Sequence, residues 1–253
     1  MGAWGQVREK ERNKTSPAFE PLYVKVKARF LERLASGAWA PGVLLPSEFE
    51  LARMYRVSQG TVRKALDALT QQNLLVRRQG KGTFVATHTV DRALFYFFKL
   101  VGKGDKREYP ESRVLSCREG PAQAEERSRL GLAAKARVVR IVRVRSLAGR
   151  DCIFERICVP AALFPQLGME DRTQLPNTLY QYYEQTYGIT ITRAVERVRA
   201  VAASRRDARY LNVPEGGPLL EIDRLATNLD GRPIEWRVSR CDARDHYYLA
   251  TLE

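Results

Sequence analysis

Two helix-start signals stand close together in this chain, at Ser47 and Ser58, and they constrain the fold more than any other feature. Ser47-Glu48-Phe49-Glu50 sets a serine three residues ahead of a glutamate, the pattern of a reciprocal capping box. Ser58 caps a further segment, since a serine oxygen satisfies a free N–H at a helix start. Between the two there is room for one short helix, carrying Leu51, Ala52 and Tyr55 inward, and a tight turn. The helix after Ser58 places Val62, Ala65, Leu66 and Leu69 on one stripe. Its other face carries Gln59, Thr61, Arg63 and Lys64. A short helix, a tight turn and a second helix with a polar, basic face make a helix-turn-helix pattern.

The flanks complete a small domain. Leu22, Val26, Phe30, Leu31 and Leu34 recur at helical spacing before Gly37, and Pro41-Gly42 makes a turn. After Asn73 the pattern becomes strand-like: Leu74–Arg78 and Thr83–Val85 flank Gln79-Gly80-Lys81-Gly82, a glycine-rich hairpin tip. The spacing therefore predicts a flexible tail over 1–16, a helix-turn-helix domain with a hairpin over 17–87, a linker over 88–94 and a second domain over 95–253. In that second part, strands are expected at Arg113–Cys117, Arg137–Leu147, Cys152–Val159, Ile189–Ala203, Leu219–Asn228, Pro233–Cys241 and Tyr247–Leu252. Helices are expected at Ala122–Leu130, Thr178–Thr186 and Arg205–Leu211, and hairpin turns at Ala148–Asp151 and Leu229–Arg232. The class implied is α+β with an antiparallel sheet.

Charge narrows the partners. The chain carries 43 Lys and Arg against 29 Asp and Glu, a net +14. Residues 1–90 hold 15 of the basic and 7 of the acidic residues, so the excess is densest in the helix-turn-helix half. A basic excess draws polyanions and says nothing of fold. The longest apolar run, Ala93–Phe98, is far short of the roughly 18–20 residues that cross a bilayer, and no secretory leader is read at the start. A cytoplasmic, nucleoid-associated protein is expected. Four scattered cysteines without a C-x-x-C spacing and only two histidines, His88 and His246, nominate no metal, no cofactor and no histidine-based catalyst.

The major groove of DNA admits one helix, and residues near that helix's start reach the base edges. Here those are Gln59, Gly60, Thr61 and Arg63, with Lys64 beside them. Gly60 lets the backbone approach the duplex closely, Ser58 and Thr61 can donate to phosphates, and Lys81 at the hairpin tip can reach a phosphate or the minor groove. The plain alternative is a solvated, charged helix face.

Residues 21–85 resemble the winged-helix domain of the GntR family of bacterial transcription regulators. The resemblance lies in Pro21-Leu22-Tyr23, Gly37, Pro41-Gly42, Leu45-Pro46-Ser47-Glu48, Glu50-Leu51-Ala52, Val57-Ser58, Thr61-Val62-Arg63, Ala65-Leu66, Leu69 and Gly80-Lys81-Gly82-Thr83-Phe84-Val85. It implies a homodimer on a palindromic operator of double-stranded DNA, in most cases as a repressor. The expected contacts are Ser47, Ser58, Gln59, Gly60, Thr61, Arg63, Lys64, Gly80, Lys81 and Gly82. One departure stands out: the family's usual Val-Ser-Arg reads Val57-Ser58-Gln59 here. Glutamine neutralises no phosphate but can read adenine edges, so a different operator is expected.

In the second half, Arg137–Leu147 alternates: Val139, Ile141, Arg143 and Arg145 share one face. Two arginines about 7 Å apart on one strand face can clamp a carboxylate or phosphate if that face is concave, or can be an exposed cationic strand if it is not. Residues 93–253 resemble the UTRA effector-binding domain of the HutC subgroup, through Arg143-Val144-Arg145, Glu155 ahead of Val159-Pro160, Thr178-Leu179-Tyr180, Pro218-Leu219-Leu220 and Asp230-Gly231-Arg232-Pro233-Ile234-Glu235. The resemblance implies a six-stranded antiparallel sheet similar to chorismate lyase. It also implies that Arg143 and Arg145 hold the acidic group of a small effector, that Thr178 and Tyr180 donate hydroxyl hydrogen bonds, and that Glu235 accepts from the effector's far end. The face of Glu155 depends on hairpin register. Leu94-Phe95-Tyr96-Phe97-Phe98 replaces the Ser/Thr segment of sugar-phosphate-binding members, and Cys241 stands where a tyrosine is frequent. A small organic acid is therefore expected in preference to a sugar phosphate, although those aromatics also suit a plain core strand. The competing reading is a chorismate-lyase-like enzyme with Glu155 and Glu235 as its carboxylate pair; no catalytic residue is nominated, because no nucleophile or base accompanies them.

Overall fold

The structure is a computed structural model that describes residues 21–87, 98–102, 104, 108–167 and 175–250. The expected tail 1–16 and linker 88–94 lie outside the described residues, as does the stretch Leu94–Phe97 with its aromatics.

Helix α1 (Leu22–Ala35) turns Val26 and Phe30 inward and ends before Gly37, whose φ of +74° suits glycine. Helix α2 (Glu48–Tyr55) opens on the capping box: Ser47 Oγ accepts from the Glu50 N–H at 3.2 Å, and Glu50 accepts from the Ser47 N–H at 2.8 Å. Arg56, in the left-handed region at φ +53°, turns the chain toward Ser58. Helix α3 (Gln59–Gln71) buries the stripe Val62, Ala65, Leu66 and Leu69. These side chains meet Phe30, Trp39, Leu45, Leu51, Leu75 and Val85 in one core. Phe30 lies between two rings, with centroids 5.2 Å from Trp39 and 5.1 Å from Tyr55. Strands β1 (Leu75–Arg78) and β2 (Gly82–Val85) form the wing, closing with Arg78 opposite Gly82. A feature the sequence did not disclose is that Val43–Leu45 runs along β2: the Leu45 N–H donates to Thr83 O at 2.8 Å and the Val85 N–H to Val43 O at 2.9 Å.

The second half centres on a six-stranded antiparallel sheet in the order β4 (Glu111–Pro121), β5 (Arg137–Leu147), β6 (Arg150–Pro160), β9 (Pro233–Cys241), β8 (Pro218–Thr227), β7 (Arg193–Ala202). A separate pair, β3 (Leu100–Gly102) with β10 (His246–Tyr248), lies beside it; β3 is not among the expected strands. The β5–β6 turn needs left-handed residues, and Ala148 (φ +48°) and Gly149 (φ +76°) supply them, as a two-residue hairpin loop demands. Helix α4 (Ala124–Leu130) and helix α6 (Arg205–Leu211) cover the two ends of one sheet face, the outer face. Helix α5 (Leu179–Tyr187) covers the other, inner face, where Tyr180 and Tyr183 join Val139, Ile141, Ile157, Val159 and Ile234 in the largest core cluster. Among the described residues no helix is long and apolar enough to cross a membrane.

Candidate functional site

At the start of α3, Gln59, Gly60, Arg63 and Lys64 are exposed and the apolar stripe faces inward. Ser58 Oγ caps the helix by accepting from the Thr61 N–H at 3.2 Å, and lies 2.9 Å from Thr61 Oγ1. A methyl group added at Gly60 would meet only Ser58 Oγ, at 3.9 Å. Nothing inside the domain demands glycine there; what it provides is a bare helix surface toward the outside. Glu48, in the first turn of α2, organises the cations. Arg63 Nε and Nη2 donate to its Oε2 at 3.0 and 2.8 Å, and Arg77 Nη2, at the base of the wing, donates to its Oε1 at 3.2 Å. Arg77 also reaches Asp67 of α3 at 2.8 Å, which fixes wing and recognition helix in one orientation. The Ser47 hydroxyl is engaged with Glu50 Oε2 at 2.8 Å, as part of the α2 cap. At the wing tip Gly80 (φ +70°) and Gly82 (φ +106°) both occupy backbone that favours glycine, and a Cβ on Gly82 would sit 2.8 Å from Leu44 Cδ1. Lys81 between them is exposed.

The second site is a cavity of about 50 Å³ on the inner face of the sheet. Antiparallel register builds it: Arg143 lies opposite Glu155, Glu155 opposite Ser239 and Ser239 opposite Ile222 across β5, β6, β9 and β8. Arg145 lies one pleat along β5, where a register shift between Arg145 and Ser146 bends the strand. Thr178 and Tyr180 close the cavity from the start of α5, and Phe98, Lys99 and Leu100 close it from the segment that leads into β3. The hairpin register thus places Glu155 on the same face as Arg143 and Arg145.

The cavity is dense with paired charge. Arg143 Nε donates to Glu155 Oε2 at 2.5 Å, and Ser239 Oγ donates to Glu155 Oε1 at 3.0 Å. Arg237 binds Glu235 through Nε and Nη2, both at 2.9 Å. Tyr180 and Tyr183 each donate to Glu235 at 3.0 Å. Glu235 is fully buried and does not line the cavity; it stands one layer behind, holding Tyr180 and Arg237. Thr178 Oγ1 donates to Gln181 Oε1 at 3.0 Å. Arg145 is the outlier. Its Nε donates to Ser112 Oγ at 3.1 Å, its guanidinium stacks 5.0 Å from the Phe98 ring, and its nearest carboxylate oxygen, on Glu155, is 3.9 Å away. Burial, with the like charge of Arg143 beside it, pulls its pKa down to about 9. Glu155 shows the opposite balance: burial pushes its pKa up, but Arg143, Arg237 and Arg145 outweigh that and hold the carboxyl well below the usual carboxylate range. Burial and the charge of Glu235 push the Tyr180 hydroxyl up to about 12, so it is a hydrogen-bond donor at neutral pH.

Sequence reasoning brought Arg143, Arg145, Glu155, Thr178 and Tyr180 to this cavity and missed Arg224, Arg237, Ser239 and Asn177, which also line it. Arg237 was findable, being two residues past Glu235 and so on the same strand face. Arg224 faces inward only because β8 pairs with β9 in the register Arg224 to Arg237.

Comparison with known proteins follows the same division. The family model described as "Bacterial regulatory proteins, gntR family" matches residues 22–85, and that of the UTRA domain matches residues 106–247. The histidine utilization repressor of Pseudomonas putida is 33% identical, over 81% of this chain and 81% of its own length. The uncharacterized HTH-type transcriptional regulator YurK of Bacillus subtilis is 30% identical, over 85% of this chain and 88% of its own. Among solved structures, the ligand-binding domain of a regulator assigned to the GntR family from Bordetella bronchiseptica is 33% identical with a TM-score of 0.59, covering 61% of this chain and 96% of that one. PhnF from Mycobacterium smegmatis, at 22% identity and a TM-score of 0.53, shares the fold over 92% of this chain and 99% of its own.

Proposed function

The chain belongs to the GntR family of bacterial regulatory proteins and carries a UTRA domain, and from that premise we propose that it is a repressor whose hold on its operator is set by a small monoanionic organic acid in the inner cavity. It is a DNA-binding transcription regulator. The finer reading concerns which residues do the work, the chemistry of the effector and the assembly.

One observation carries the effector assignment. Four buried arginines, Arg143, Arg145, Arg224 and Arg237, gather at the cavity. The carboxylates they face are three: Glu155, Glu235 and Glu196, the last paired with Arg224 at 2.5 Å. Among these buried arginines one positive charge is left over, and it falls on Arg145, whose nearest carboxylate oxygen is 3.9 Å away; Lys99 adds a further cation to the cavity wall. A buried cation held only by a hydroxyl and a carboxylate 3.9 Å away is costly, and an anion that completes its pairing is favoured. One carboxylate matches the surplus carried by the buried arginines. Phe98 against Arg145 and Tyr180 against Arg237, at 5.0 and 5.3 Å, offer ring faces to a flat or apolar effector body. The same carboxylates argue against an acid–base pair: Glu155 and Glu235 both have their oxygens engaged by guanidinium and hydroxyl donors, which supports binding over catalysis.

Coupling follows from chain order. Phe98–Leu100, which wall the cavity, continue directly from the linker to the winged helix. An effector that binds one arrangement of that wall better than another shifts the linker and, in a homodimer, the spacing of the two recognition helices. Those helices must stand about one DNA turn apart to engage both half-sites. At the operator, Ser58, Gln59, Gly60, Thr61, Arg63 and Lys64 take the major groove and Gly80–Gly82 the adjoining backbone or minor groove.

Selection from a pool of random duplexes tests the DNA half: an enriched inverted repeat is expected, and equal competition by random DNA would end the reading. A thermal-shift screen of small monocarboxylates beside sugar phosphates tests the effector half, with each hit retested on the selected operator. Stabilisation by sugar phosphates alone would overturn the monoanion assignment.

A further inference from the structure

The outer face of the sheet holds a second concavity that the effector reading does not use. It is a trough of about 460 Å³ between α4 and α6. The two helices cover the ends of this face and leave its middle open, with Val142 of β5, Arg156 of β6 and Val238 of β9 side by side on the floor and Trp236 next to them. Arg156 is exposed although β6 is one of the two central strands, and its neighbours across both ladders are valines. Among the described residues it has no hydrogen bond or ion pair, so its charge stands alone over an apolar floor.

The surrounding carboxylates are engaged elsewhere. Glu126 accepts from Arg140 Nε and Nη2, both at 2.6 Å. Glu221 is shared by Arg199 at 2.6 Å and Arg240 at 2.9 Å. Asp223 accepts from Trp236 Nε1 at 2.8 Å and from Arg129. Glu125, exposed on α4, is the one trough carboxylate outside these pairs. A second loosely held cation faces the same opening: Arg206, in the first turn of α6, rests 5.0 Å over the Phe154 ring and makes no ion pair among the described residues. Phe154 is two residues from Arg156 on the same face of β6, so Arg206, resting over the Phe154 ring, and Arg156 border the same opening. Two guanidiniums free of ion pairs among the described residues, at one opening above the Val142, Val238 and Trp236 floor, suit a planar anionic group on a compact organic body.

We propose that this trough is a second anion site, which takes a small metabolite bearing a carboxylate or phosphate through Arg156 and Arg206. It lies back to back with the inner cavity: Glu155 and Arg156 are consecutive residues of β6 that face opposite sides of the same sheet. A ligand here can bias β6 and the register that holds Glu155 against Arg143, which gives the regulator a second input.

The test is calorimetric titration of the full chain with citrate and, separately, inorganic phosphate, at low and at physiological ionic strength. One saturable site for one or both probes is expected, weakened at least about tenfold in Arg156→Gln and retained in Arg145→Gln. Which probe binds identifies the headgroup. Arg156 has no partner to lose, so its variant should fold, and a circular dichroism melt checks that; Arg206→Gln is the second variant, with the same loss expected. Binding that is undiminished in both trough variants, binding that vanishes in Arg145→Gln instead, or no binding of either probe overturns the proposal. So does an Arg156→Gln chain that changes from dimer to monomer by light scattering, since the trough would then be a contact between two copies.

Discussion

Arg63 of the recognition helix is held by Glu48 of the preceding helix, both its Nε and its Nη2 converging on one carboxylate oxygen at 3.0 and 2.8 Å. Arg63 is exposed and Glu48 half-buried, and a pair with an exposed member adds little to stability. Its consequence is positional: the guanidinium is presented at the outer face of α3, and the carboxylate competes with any phosphate or base that would take it. Arg63→Ala should therefore weaken binding to the selected operator by roughly tenfold or more while leaving the melting temperature unchanged. Glu48→Gln should do the reverse, freeing Arg63 while Asp67 still holds Arg77, and raising affinity for random duplex several-fold, with a steeper dependence on salt. Fluorescence anisotropy across a salt series reads both. Unaltered operator affinity in Arg63→Ala would remove this residue from the interface.

Gly60 has an ordinary helical backbone and open space around its missing side chain. Stability alone predicts that a larger residue is tolerated, even slightly favoured by helix propensity. Close approach to DNA predicts the opposite for binding. Gly60→Leu should keep or raise the melting temperature and abolish tight operator binding. A variant that melts normally and still binds would mean that the start of α3 stays clear of the duplex.

Arg143 and Arg145 have the same side chain two residues apart on one strand, yet their removal should have opposite effects. Arg143 compensates buried Glu155 at 2.5 Å, and Arg143→Gln leaves that carboxylate short of its partner, at a cost of about 3 kcal/mol. Arg145 is the cation in excess, and Arg145→Gln should stabilise the ligand-free protein by about 1 kcal/mol while abolishing stabilisation by the screened monocarboxylate. Denaturant titrations with and without ligand separate the two. If both variants lost stability equally, the charge count at the cavity would be wrong.

Local signals in the sequence carried the winged helix almost whole, because caps, glycines and a four-residue apolar stripe act within a turn or two of chain. Ser47 with Glu50 and Ser58 with Thr61 do in space what their spacing implies. The edge formed by Val43–Leu45 was illegible, since its pairing partner, β2, lies some forty residues on and no periodicity marks three residues. In the second domain, alternation placed Arg143 and Arg145 on one face and named most strands. It could not tell that Glu235 stands behind the wall and Arg237 in it, because both point inward and only the packing of α5 over Tyr180 and Tyr183 separates the layers. Arg224 was missed for a related reason: its inward face is set by pairing with β9.

Glu155 gives the fold a specific acid sensitivity. Its carboxyl titrates in the unfolded chain near pH 4.5, and in the folded chain it is held lower by Arg143, Arg237 and Arg145 against the upward push of burial. A depressed folded pKa means that the unfolded state takes up the proton first as pH falls. The stabilisation is therefore fully present above about pH 4.5 and is lost progressively below it, as the folded carboxyl titrates. Glu155→Gln removes that dependence and leaves Arg143 and Arg237 less compensated, so at pH 7 the variant should be about 3 kcal/mol less stable. The gap between wild type and variant should then narrow steadily from pH 4.5 to pH 2.5. Urea midpoints taken across that range measure it, and two parallel stability curves would show that Glu155 is not the carboxylate on which the cavity's arginines converge.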